Sequence, residues 1–152
     1  MKQYADIVVF DKNGELALIV EVKNKRGTSS EWAGKMRHNM YAHGLMPNAP
    51  FFLLALPDRF YLWKHNGRIS EILEPTERID PQQFLRPYYE KFGILPESLT
   101  GMSFEYLVTS WLNEILRART PQDLPRETQD WVTRSGLFDK LAGGHLKSEI
   151  AA

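Results

Sequence analysis

The chain has 152 residues, of which 43% are hydrophobic and 25% charged; 19 basic side chains balance 19 acidic ones, and there is no cysteine. At this length one domain is the default, and on the order of two thirds of the chain's surface can be buried. The charge balance excludes a polycation that coats nucleic acid by charge alone and an acidic disordered tail, and the missing cysteines exclude disulfide scaffolds, thiolate zinc sites and cysteine nucleophiles.

Tyr4 to Phe10 is rich in β-branched residues and predicts a strand. Asp11-Lys12-Asn13-Gly14 predicts a hairpin turn, and Leu16 to Lys23 a second strand. Both strands are apolar at nearly every position, so the sheet should be covered on both faces. A basic loop, Asn24 to Thr28, leads into Thr28-Ser29-Ser30-Glu31, which has the form of a capping box. The helix that follows should bury a stripe of Trp32, Met36 and Met40 and end at Gly44. Phe51 to Leu56 reads as a buried strand, and Phe60 to Lys64 and Arg68 to Leu73 as a second hairpin around His65-Asn66-Gly67. Beyond residue 75 the prolines 75, 81, 87, 96, 121 and 125 break up the chain. Ser103 to Leu116 is an amphipathic helix, and Thr128 to Leu141 predicts another, stopped by Gly143-Gly144.

If Asn13-Gly14 forms a two-residue turn, Lys12 pairs with Glu15 and Asp6 falls directly opposite Glu21, and a four-residue loop, Lys12 to Glu15, gives the same register. A three-residue loop with a bulge would instead set Asp6 against Val20, on the wrong face. Directly opposed side chains have Cβ atoms roughly 4.5–5.5 Å apart. Lys23, two residues beyond Glu21, shares its face. Two facing carboxylates repel, and a divalent cation between them reverses the sign; oxygen ligands with room for water suit Mg²⁺ or Mn²⁺. A lysine beside them can orient a water or stabilise developing negative charge, as phosphodiester hydrolysis requires.

The run of Asp6, then Glu21-Val22-Lys23 on the next strand, then a helix, resembles the PD-(D/E)xK nuclease superfamily over about residues 4–64. The stretch WAGKMRHNMYAHG to FFLLALPDRFYLW is also similar to uncharacterised bacterial, particularly cyanobacterial, relatives of that group. The resemblance implies that Asp6 and Glu21 bind metal, that the Val22 carbonyl adds a ligand, and that Lys23 is the catalytic lysine. It further implies an α/β, restriction-endonuclease-like mixed sheet with flanking helices. Ala5 stands where the family has proline, and five residues precede Asp6 where the family usually has a helix and a strand. That helix often supplies another acidic residue.

Residues 1–74 are expected to form the α/β core and 75–152 a helical extension packed on it as one unit. Lys25 and Arg26, in the loop beside the proposed site, and Arg37 and Tyr41, one turn apart on the helix, are candidates for DNA contact. As solvated turn residues or packed helix residues, all four would have no such role. His43 suits the helix C-terminus, and Trp32, Trp63, Trp111 and Trp131 suit a core rather than a platform for single strands. No G-x-S-x-G, P-loop or G-x-G-x-x-G motif is present. No stretch reaches the roughly 18 apolar residues of a membrane span, and the first residues lack a signal peptide's apolar core. The carboxyl–lysine cluster and the resemblance together imply a Mg²⁺-dependent DNA endonuclease, expected to be cytoplasmic and without membrane contact. A homodimer or higher homo-oligomer is expected, to cut both strands and to cover the open edge of the first strand. The alternative is a catalytically silent member that binds nucleic acid or scaffolds a partner.

Overall fold

The computed structural model describes residues 5–43, 46–64 and 71–148. Tyr4, the expected cap Gly44, the turn His65-Asn66-Gly67 and the start of the expected strand at Arg68 lie outside them. Among the described residues six strands form one mixed sheet: β1 (Ile7–Phe10), β2 (Leu16–Val22), β3 (Phe51–Leu56), β4 (Arg59–Lys64), β5 (Glu77–Ile79) and β6 (His145–Ser148), in the spatial order β5-β4-β3-β2-β1-β6. Among the described residues only β2 and β3 run parallel, joined through helix α1 (Ser30–His43). The remaining helices are α2 (Gln82–Phe92), α3 (Gly101–Arg117), α4 (Arg126–Arg134) and α5 (Leu137–Leu141). None of the helices among the described residues is long and apolar enough to cross a membrane.

The near-continuous apolar runs are explained by burial on both faces. Ile7, Val9, Leu18, Val20, Phe60 and Leu62 pack against α2 to α5 through Phe84, Leu107, Trp111 and Trp131. Val8, Ile19, Phe52, Leu54 and Trp63 face α1. Trp111 stacks on Trp131 at 5.6 Å and meets Phe60 edge-on at 5.4 Å, contacts that add to the burial of three large rings. Trp63, Trp111 and Trp131 are core, as expected; Trp32 is half-buried, with the Lys25 ammonium 5.5 Å from its ring centre.

The hairpin reaches its register by a different route from the expected one. The Asp11 N–H donates to Glu15 O at 2.8 Å, and Asp11 Oδ1 accepts from the N–H groups of Asn13 and Glu15, so the turn is wider than two residues. Phe10 therefore pairs with Leu16, the frame that leads to Asp6 against Val20. The pairing shifts between Phe10 and Val9, where Ala17 is the extra residue, and Val9 then pairs with Leu18 and Ile7 with Val20. The bulge restores the frame that carries Asp6 opposite Glu21.

Other expectations need correction. Ser29, not Thr28, caps α1: its Oγ accepts from Trp32 N–H at 3.1 Å, while Thr28 bonds the Tyr61 hydroxyl and Glu31 pairs with Lys35. The partner of β4 is Glu77–Ile79, and Glu71 to Leu73 form no strand. Pro87 lies inside α2 rather than ending it. The expected helix Thr128 to Leu141 is two helices, because Gly136 takes a left-handed φ of 84° that a continuing helix excludes. Residues 75–152 are more than a helical extension: β5 and β6 complete both edges of the sheet. Because β6 pairs with β1 from Ile7–Ser148 to Phe10–His145, the chain covers its own strand edge, and the edge argument for a second subunit falls away.

The buried line of α1 is Ala33, Gly34 and Arg37, flanked by the half-buried Trp32, Met36 and Met40. Gly34 lets the helix approach the chain at Leu73, whose carbonyl oxygen would lie 2.8 Å from an added Cβ and which also accepts from Trp63 Nε1 at 3.0 Å. Gly34→Ala is therefore expected to lower stability by about 1 kcal/mol despite the better helix propensity of alanine, because backbone must move. Denaturant unfolding measures this, and a stabilised variant would refute the close approach.

Candidate functional site

Asp6 stands in the bend just ahead of β1, after the buried Ala5. Its Oδ2 accepts a hydrogen bond from the Val22 N–H at 2.8 Å, taking the place a backbone carbonyl would hold if β1 began earlier. Within a strand the N–H and C=O of one residue point the same way, so the Val22 carbonyl is directed toward the same side as Asp6. Glu21, next to Val22 on β2, lies beside the Asp6 carboxyl, close enough for the two to act on one another. Burial, and then this second carboxyl beside it, push the Glu21 carboxyl up to about 8; the nearby Lys23 charge acts in the opposite direction. Alternation along β2 places Glu21 and Lys23 on one face, and the Lys23 N–H donates to Ala55 O at 3.1 Å, fixing the end of the strand against β3. The structure thus brings Asp6, Glu21, Val22 and Lys23 together at one end of the sheet.

A further ionisable group, which sequence reasoning missed, bears on Glu21 through its charge from outside the cluster. Glu105, in the second turn of α3, is 8% exposed, accepts from Ser148 Oγ at 3.2 Å, and adds its charge to the upward shift at Glu21. The signal was available: Glu105 lies three and seven residues before Val108 and Leu112, on their side of an otherwise apolar helix face. Asn24 Nδ2 donates to Leu99 O at 2.9 Å and ties the loop after β2 to the approach of α3.

The other candidates separate. Lys25 and Arg26 are exposed in the loop that leaves β2; Arg26 Nη2 donates to Pro96 O at 3.3 Å. Arg37 is fully buried, its guanidinium 5.3 Å from the Tyr41 ring centre and 5.8 Å from that of Trp63, and burial lowers its pKa. Tyr41 is half-buried and packs on Phe52 at 5.9 Å. The DNA contact expected of Arg37 is therefore corrected: the side chain fills the layer between α1 and the sheet, where cation–π contact offsets part of its desolvation. Tyr41 belongs to the same packed layer. His43 Nδ1 lies 3.1 Å from Asn39 O in the last turn of α1, in keeping with a helix-end role. Asp58 is structural, its Oδ2 accepting from the Gly27 N–H at 2.9 Å.

Among the described residues no group of three or more His, Cys, Asp or Glu side chains is arranged to hold a metal ion. Two opposed carboxyls and a carbonyl remain, a donor set of hard oxygens suited to Mg²⁺, which commonly takes one or two carboxylates and keeps several waters. The raised affinity of Glu21 for a proton is the same electrostatic deficit a dication would relieve. Compared with family models, curated proteins and solved structures, the chain matches none.

Proposed function

We propose that this chain is a cytoplasmic, metal-dependent DNA endonuclease of restriction-endonuclease-like fold, hydrolysing phosphodiester bonds at the Asp6–Glu21–Lys23 cluster. The observation that carries the reading is the carboxyl pair held between the bend ahead of β1 and the end of β2, with Glu21 driven up to about 8 and a lysine on the same face. An ordinary sheet gains nothing from opposed acids, so their charge calls for a cationic partner. The order of two antiparallel strands, a helix and a parallel third strand also supports it.

Asp6, Glu21 and the Val22 carbonyl would hold Mg²⁺, or Mn²⁺ in its place. When bound, the ion supplies positive charge to a phosphoryl oxygen and makes a water more acidic. Asp6 is oriented by the Val22 N–H. Glu21 would offer its carboxylate to the ion from the next strand. Lys23 directs an ammonium to the same face, where it orients the attacking water or stabilises charge developing on the phosphoryl group.

The test is cleavage of plasmid and branched DNA with Mg²⁺ or Mn²⁺ by the wild type, Glu21→Ala and Lys23→Ala. Metal-dependent nicking that both substitutions remove is the expected result. No nicking on any substrate, together with no heat of Mn²⁺ binding, would sink the proposal.

A further inference from the structure

We propose that a groove at the same end of the sheet as the carboxyl cluster holds one unpaired nucleotide, which makes single-stranded DNA, or an unpaired stretch flanking a duplex, the substrate class. This inference rests on the phosphodiesterase reading above. The groove has a volume of about 600 Å³ and is walled by Arg26, by Arg86 and Tyr89 of α2, and by Ile94, Leu95 and Pro96 of the turn after it. Cavities of this size enclose a molecule on the scale of a nucleotide, not a length of double helix.

Position is the first argument. The groove reaches Pro57 and Asp58, which follow β3, and Arg26, which follows Lys23 at the end of β2. It therefore opens at the carboxyl ends of the two parallel strands, the end at which open α/β sheets bind ligands. Asp6 enters the antiparallel β1 at that same end.

Chemistry is the second argument. The Tyr89 ring is half-buried against the core, so its orientation is held, and its hydroxyl lies within electrostatic reach of Arg26. Leu95, 60% exposed, extends the apolar wall on which a base can lie. Arg86 is exposed and precedes Tyr89 by three residues, so both project from one side of α2. An aromatic ring for a base and guanidinium groups for phosphates, lining one groove, is the combination that grips single strands. Two carboxyls share the groove: Asp58 is turned to the Gly27 N–H, and Glu90 stands on α2. With acids balancing the two arginines, stacking carries more of the binding than charge, and the salt dependence should be shallow.

The test is fluorescence anisotropy of a short labelled oligothymidylate and of its duplex, in EDTA, with the full chain. Without divalent cation nothing is cut, so binding is read apart from hydrolysis. The single strand should bind about tenfold tighter than the duplex, and Tyr89→Leu and Arg86→Ala should each weaken it by about tenfold, with Tyr89→Phe close to wild type. Thermal melts show whether each variant is folded, and Arg86, being exposed, keeps the test open if Tyr89→Leu is not. Equal binding of the two DNAs, no binding of either, or full binding by Arg86→Ala overturns the proposal. A matched oligouridylate that binds more tightly overturns the assignment to DNA. Single-strand binding without Mg²⁺-dependent cleavage would support the groove and remove the nuclease; duplex cleavage indifferent to Arg86→Ala would do the reverse.

Discussion

Lys23→Ala should lower the rate of Mg²⁺-dependent DNA cleavage by about 10²–10³-fold while keeping the rise in thermal stability that Mg²⁺ confers. The two effects separate because the lysine is not an oxygen ligand. Its ammonium stands on the Glu21 face, and its charge already acts on the Glu21 carboxyl. Its work is therefore done on charge that develops during the reaction, which appears in kcat rather than in cation binding. Glu21→Ala should lose both properties, since it removes a ligand. Single-turnover cleavage and melting curves with and without Mg²⁺ distinguish the two variants. Unchanged cleavage by Lys23→Ala would take the residue out of the chemistry. A matching loss of Mg²⁺ stabilisation would make it part of the cation site instead.

The second large effect is on stability against pH, without divalent cation. Glu21 titrates at about 8 in the folded chain, against 4.5 as its ordinary value. A folded carboxyl that holds its proton more tightly makes folding most favourable while the unfolded group is still protonated. The Glu21 contribution to stability should thus be full below about pH 4.5, fall as pH rises from there to about 8, and level off above. In a dry interior a shift of this size would be worth close to 5 kcal/mol, and solvent around a half-buried side chain reduces it to about 2 kcal/mol. Glu21→Gln should therefore be more stable than wild type by about 2 kcal/mol at pH 8.5, a gain of roughly 5 °C in melting temperature, and equal to it near pH 4. Mg²⁺ competes with the proton, so it should stabilise the wild type most above pH 8 and the Gln variant little at any pH. Parallel pH profiles for the two proteins would show that the carboxyl is solvated and that no electrostatic deficit exists for a cation to relieve.

The candidate cluster was legible because its spacing is local. Asp6, Glu21 and Lys23 lie on one hairpin, and strand periodicity places them on a face once the register is known. The register came out as expected, although by a wide turn and a bulge at Ala17 rather than by a two-residue turn. Ala17 carries no mark of a bulge in its own residue type; the extra residue is accommodated because Leu18 and Val20 must still face the core. Arg37 shows the opposite failure. The pattern Trp32, Met36, Met40 gives an apolar stripe, yet the small residues Ala33 and Gly34 bring the helix close to the sheet and carry Arg37 in with them.

By itself, the sequence determined the elements whose signal is contained in one window: the apolar strands β1 to β4, the amphipathic α3, and a sheet buried on both faces. The tertiary structure alone decided β5 and β6, whose short polar segments become strands only because open edges of β4 and β1 lie alongside them. It also decided that the Glu105 charge bears on Glu21, and the groove between α2 and the ends of β2 and β3. The physical reason is common to all of these. Backbone pairing at an edge, burial of a charge, and the electrostatic coupling of two acids are set by groups far apart in the chain, and no local periodicity records them.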